Sequence, residues 1–138
     1  MAYLFDTDAV SEVLRPRPAP AYLTWLGAVP REEQFLSAVS VGELFKGAFC
    51  SPARDRHLAN IEQRILPSIT VLPYDVATAR VFGEIQAALE QSGARLEDAD
   101  LQIAATAIHH NLELVTGNLR HFQRVPRLRI NPVLGQSR

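Results

Sequence analysis

Tyr3-Leu-Phe-Asp-Thr-Asp-Ala-Val-Ser-Glu12 is the stretch on which the reading of the fold turns. Three apolar, β-forming residues run directly into an acid, and the period then changes to a helical one carried by Val10 and Leu14. A short apolar run with no polar alternation fits a strand buried on both faces, the kind found inside a parallel sheet. In open α/β sheets, ligands collect outside the carboxyl ends of the strands. Asp6 comes immediately after such an end.

Working outward, four more short runs have strand character: Phe35–Ala38, Ile69–Leu72, Glu113–Thr116 and Leu128–Ile130. Segments of helical period separate them. Ala19–Ala28 carries Tyr22, Leu23, Trp25 and Leu26. Ser51-Pro52 reads as an N-cap with proline at the first helical position, opening a helix through Leu66. Asp75 caps another, which Gly93 ends, and Leu101, Ala104, Ala105 and Ile108 mark the face of the last long helix. Strands alternating with helices predict an α/β fold, a three-layer α/β/α sandwich around a mainly parallel sheet of four or five strands, with Tyr3–Phe5 central. The expected organisation is a single domain over 1–134, with a loose tail at 135–138.

The 138 residues suit one core, and 47% apolar with 21% charged residues is the mix of a folded chain. No apolar run approaches a membrane span, and the N-terminus has no basic flank, long apolar stretch or cleavage site. The single cysteine, Cys50, allows no internal disulfide. These features lead to the expectation of a cytoplasmic protein without membrane association. A formal net charge of −1 does not announce a nucleic-acid binder. Lys46 is the only lysine. Arginine supplies the other basic residues, a bias that suits bidentate phosphate contacts and equally reflects genome composition.

Oxygen-bearing side chains recur at one end of the predicted sheet, from segments far apart in sequence. Asp6-Thr-Asp8 comes after the first strand and Ser40-Val-Gly-Glu43 after the second. Gly117-Asn118 succeeds Glu113–Thr116, and Glu97-Asp98-Ala-Asp100 opens the preceding helix. Carboxylates gathered in one pocket repel one another unless a cation offsets them. Hard oxygen donors suit Mg²⁺ or Mn²⁺, and such an ion supports phosphodiester hydrolysis. Local alternatives exist for each position. Asp8 can N-cap the first helix, Ser40–Glu43 fits a capping box, Asp98 and Asp100 suit a helix N-terminus, and Asn118 can cap the turn Asn118–Phe122. His57, adjacent His109 and His110, and the more ambiguous His121 form no zinc pattern, and there is no glycine-rich phosphate loop.

The segments Leu4–Glu12, Ser40–Gly47, Asp98–Ala107 and Leu114–Phe122, in this order, resemble the four signature blocks of PIN-domain ribonucleases. The likeness is greatest to the VapC-like, FitB-related toxins of type II toxin–antitoxin systems. It implies Asp6, Glu43 and Asp100 as acidic metal ligands, with Asp8, Asp98 and Thr116 in support. The fourth acidic position falls on Asn118, an amide, which implies one well-occupied metal site before RNA binds. The resemblance further implies Mg²⁺ or Mn²⁺ dependence, RNA cleavage, a homodimer built partly on Tyr22–Leu26, and an antitoxin partner whose arginine enters the acidic mouth. Lys46, Arg15 and Arg120 are candidate phosphate contacts. Two other readings remain open: a haloacid-dehalogenase-type phosphatase using Asp6 and Asp8, and a degenerate PIN dimer that only binds partners. Lys46 lying in the same helical segment as Glu43 counts against the first. Three intact carboxylates count against the second.

Overall fold

The computed structural model describes every residue from Met1 to Arg138. Strand β1 (Tyr3–Phe5) pairs with β2 (Gln34–Ser37) on one side and β4 (Glu113–Val115) on the other. Strand β3 (Thr70–Leu72) lies outside β2, and β5 (Ile130–Asn131) outside β4. All pairings are parallel, in the order β3-β2-β1-β4-β5. The predicted parallel sheet with Tyr3–Phe5 at its centre is therefore the observed one.

Around it lie α1 (Thr7–Ser11), α2 (Pro20–Gly27), α3 (Ala38–Phe49), α4 (Arg54–Asn60), α5 (Val76–Gln91), α6 (Asp98–His109), α7 (Leu119–Phe122) and α8 (Val133–Ser137). Alternate residues of a strand face opposite ways, which divides the core in two. Leu4 and Leu114 pack with Ile85 and Leu89 of α5 and with Leu101 and Ala104 of α6. Phe5, Leu36 and Val115 pack on the other side with Ala9, Tyr22, Ile61, Ile65 and Leu134. Three layers result.

Several boundaries differ from expectation for local reasons. Ser37 ends β2 because its hydroxyl caps α3, accepting from Val39 N–H. Arg127 adopts a left-handed backbone, φ 67°, so extended pairing with β4 starts later than Leu128. The Ser51 hydroxyl accepts from Ala53 N–H and closes a tight turn, delaying α4 to Arg54. Beyond Asn60 the helix loosens through a π turn, Ile61–Ile65, and Pro67 lies in the 3₁₀ turn that ends it. Tyr22 is fully buried, so the first residue of the expected dimer stretch Tyr22–Leu26 belongs to the core.

The expectation of a loose tail at 135–138 fails. Leu134 is fully buried, Gly135 packs on Leu119, and Arg138 is ion-paired to Asp8 and Glu12. A buried leucine and a paired arginine anchor a segment whose small and polar residues look solvated in sequence.

Candidate active site

Strand order reverses its direction of growth between β1 and β4, and the crevice outside their carboxyl ends is where an open α/β sheet binds ligands. Asp6 stands at that point. Its backbone N–H donates to Val115 O at 3.1 Å, extending the ladder by one residue. Its Oδ1 accepts from Ala9 N–H at 2.7 Å, so Asp6, and not Asp8, is the N-cap of α1. The side chain is only 6% exposed. Burial pushes its pKa up to about 6, against the lowering effect of hydrogen bonds from the Thr116 hydroxyl and Ala9 N–H, while the charges of Asp8 and Asp100 push it further up.

Glu43 reaches the site from α3. With Ser37 as the cap, Glu43 lies beyond the first turn, and the capping box with Ser40, the local alternative for these residues, does not form. Ser40 is fully buried, and its hydroxyl has no hydrogen-bond partner. The Glu43 carboxylate instead accepts from the Thr7 hydroxyl, on the helix that Asp6 caps. Asp100, in the first turn of α6, lies 2.7 Å from His121 Nε2, a contact in which the imidazole donates. Thr116 is fully buried and accepts from Asn118 N–H at 3.0 Å. Asn118 is exposed at the start of α7 and makes no side-chain cap bond, so its amide is not committed to the turn.

Other expected residues lie further out. Asp98 is exposed, and its carboxylate accepts from Gln86 at 3.4 Å. Arg15 lines an open cleft of about 510 Å³ together with Thr7, Glu43 and His57, so His57 is less remote from the acids than its sequence position implies. Lys46 and Arg120 are exposed. Three contributors had no role in the sequence reading: Thr7 and the buried Glu12, both inside the first signature block, and Arg138. Their partners are distant in sequence or have no local pattern, and only the packing brings them together.

The donor set fits a hard divalent cation. A buried carboxylate near two others, with hydroxyl and amide oxygens around it, leaves negative charge that a cation would offset. As arranged, no three His, Cys, Asp or Glu side chains converge closely enough to hold an ion. Glu43 is turned to Thr7, Asp100 to His121 and Asp8 to Arg138.

His121 acts on this site through Asp100. If Asp100 ligates a cation, replacing His121 with Ala should weaken Mn²⁺ binding about 10- to 100-fold, the usual cost of losing a partner that orients a ligating side chain. His121→Gln, which can still donate to Asp100, should recover part of the loss. Calorimetric titration with Mn²⁺ and an unchanged melting temperature would establish the effect; wild-type affinity in His121→Ala would remove His121 from the site.

A model of the PIN domain matches residues 3–128. A VapC ribonuclease, Y4jK, of Sinorhizobium fredii is 33% identical over 134 residues, covering 94% of this chain and 96% of that one. The toxin FitB of Neisseria gonorrhoeae is 34% identical over 124 residues, covering 86% and 89%. The crystal structure of FitAcB from the same species superposes with a TM-score of 0.86 at 32% identity, covering 94% of this chain and 97% of that one. A match across nearly the whole length, with acids at the switch point of a five-stranded parallel sheet, makes this chain a member of the PIN-domain family.

Proposed function

We propose that this protein is a metal-dependent endoribonuclease, built as a single PIN domain that includes the C-terminal helix α8, and the toxin of a toxin–antitoxin pair. The observation that carries the reading is buried Asp6 at the β1–β4 switch point, under the charges of Asp8 and Asp100. Kinship with proteins named VapC ribonuclease and toxin FitB supports it, and leaves the phosphatase alternative without support.

Asp6, Glu43 and Asp100 would hold Mg²⁺ or Mn²⁺. When bound, such an ion lowers the pKa of a coordinated water and offsets charge developing on the phosphodiester oxygens. Asp6 provides a fixed point, because its other oxygen contacts are backbone and buried hydroxyl groups. Thr7 orients Glu43, and His121 orients Asp100. The free amide of Asn118 can donate to a phosphate oxygen, and Arg15 can contact a neighbouring phosphate along the cleft. Lys46 and Arg120 supply further positive charge from exposed positions.

Purified protein should cleave RNA with Mg²⁺ or Mn²⁺ and lose that activity in a chelator. No cleavage across a broad RNA panel, or cleavage that survives chelation, would sink the reading. The proposal includes a homodimer, read by light scattering at micromolar concentration, and an antitoxin that presents arginine to the acidic mouth.

Asn118 sets an expectation of its own. A neutral amide offsets less of an ion's dehydration cost than a carboxylate does. Asn118→Asp should therefore tighten a second Mn²⁺ site in RNA-free protein, and Asn118→Ala should slow cleavage less than Asp6→Ala. Calorimetric titration resolving two tight sites in the unmodified protein would refute this.

A further inference from the structure

Arg138 brings the C-terminal helix to the acidic mouth. Its NH2 lies 2.8 Å from Asp8 Oδ2 and 3.0 Å from Glu12 Oε1, from opposite ends of the sequence. The guanidinium rests on Gly117: a Cβ there would overlap NH1, come within 3.0 Å of Cζ, and lie 3.1 Å from Asp8 Oδ2. A side chain there would push the flexible end of Arg138 from its present seat. Gly117 immediately precedes Asn118, so a permanent positive charge sits beside the loop that carries an amide in place of an acid.

The two carboxylates stand in different surroundings. Glu12 is 2% exposed and already accepts from Ala19 N–H and Arg15. Asp8 is 49% exposed, and a pair at such a position contributes little to stability. What the contact does change is the charge near Asp6, on which Asp8 bears directly. Guanidinium keeps its proton at any working pH, so only a competing cation or anion could end the pairing.

We propose that Arg138 is a built-in counter-cation that withholds Asp8 from metal binding and limits the RNA-free protein to one divalent ion, held by Asp6, Glu43 and Asp100. This rests on the metal-dependent nuclease proposal. Arg138 acts through Asp8 and is a positioning residue. The charge and place a second ion would take beside Asp8 and the Gly117–Asn118 loop are supplied by the chain itself.

Calorimetric titration of RNA-free protein with MnCl₂ tests this. Wild type should bind one ion. Arg138→Gln should bind a second, or bind the first at least about tenfold more tightly, since a freed carboxylate adds ligand charge. Arg138→Lys, which keeps the charge, should stay at one. Asp8→Asn should still bind one ion, with less than about a tenfold loss of affinity, and should abolish the gain in the Arg138→Gln background. The proposal is overturned if Arg138→Gln, folded by circular dichroism, binds Mn²⁺ with wild-type stoichiometry and affinity. Should Arg138→Gln not fold, Asp8→Asn alone decides: a loss of about tenfold or more would show Asp8 to be a ligand already. No Mn²⁺ binding by wild type would overturn the metal reading itself, and this inference with it.

Discussion

Asp6→Asn should reduce RNA cleavage by at least about 10³-fold, roughly 4 kcal/mol of transition-state stabilisation, while leaving the fold intact. Asparagine matches aspartate in shape and is an equally good N-cap, so the bond from Ala9 N–H can persist. What disappears is the charge at the most buried of the three proposed ligands. A cleavage rate within tenfold of wild type, measured on the same RNA with saturating Mn²⁺, would remove Asp6 from the catalytic centre.

The same substitution should make the metal-free protein more stable at pH 7. The folded pKa of Asp6 is raised from 3.8 to about 6, chiefly by burial. A raised folded pKa means that folding favours the protonated form. The associated stability is present below the unfolded value and is lost as pH rises through the folded one. At pH 7 the ionised carboxylate then costs on the order of 1–3 kcal/mol, at 1.36 kcal/mol per pKa unit. In chelator, Asp6→Asn should melt higher than wild type at pH 7, and the gap should close as pH falls from 6 to 4. Saturating Mn²⁺ should narrow or reverse it, because wild type alone gains the binding energy. A gain for the variant without metal and a loss of cleavage with it would separate a site built for an ion from one built for stability.

The acids were legible in sequence because parallel strands all deliver their next residue to one end of the sheet. Asp6 and the Thr116–Asn118 loop stand directly at the ends of apolar runs, and Glu43 and Asp100 lie in helices that open beside them. Their first contacts were not legible. Thr7 meets Glu43 across 36 positions, His121 meets Asp100 across 21 and Arg138 meets Glu12 across 126. No local period encodes such pairs; they depend on how helices sit on the sheet. The Asp75 cap is as read, but the alternatives that made Asp8 and Ser40 caps failed for a related reason. Asp6 and Asp8 have the same local chemistry, and the choice between them rests on where β1 ends, which its pairing with Val115 decides. The tail misled because Gly135–Arg138 contains no apolar residue to mark a period, and its anchors are Leu134 just before it and the ion pairs of Arg138.

Glu12→Ala should be the most damaging substitution for stability outside the two apolar cores. Glu12 is 2% exposed, yet it is a charged residue. Its Oε2 accepts from Ala19 N–H at 2.9 Å, and its Oε1 accepts from Arg15 at 3.1 Å and Arg138 at 3.0 Å. One side chain thereby ties the turn after α1 to the proline-rich loop Arg15-Pro-Arg-Pro-Ala19 and to the end of α8. Burial alone would raise its pKa, but the hydrogen bonds from Ala19, Arg138 and Arg15 outweigh burial and hold the carboxyl below its usual range. Truncation strands the buried N–H of Ala19, which costs about 1–3 kcal/mol, and removes the shared partner of two partly exposed guanidinium groups. That corresponds to a fall in melting temperature on the order of 10 °C for a chain of this size. Glu12→Gln, which keeps an acceptor but no charge, should lose less. A lowered folded pKa gives stability that is present above the unfolded value and lost as pH falls through the folded one. The gap between wild type and Glu12→Gln should therefore be full near neutrality and shrink below about pH 4, toward the ordinary glutamate range. If Glu12→Ala melts within two or three degrees of wild type at pH 7, the buried carboxylate is not what fastens the loop and the C-terminal helix to the sheet.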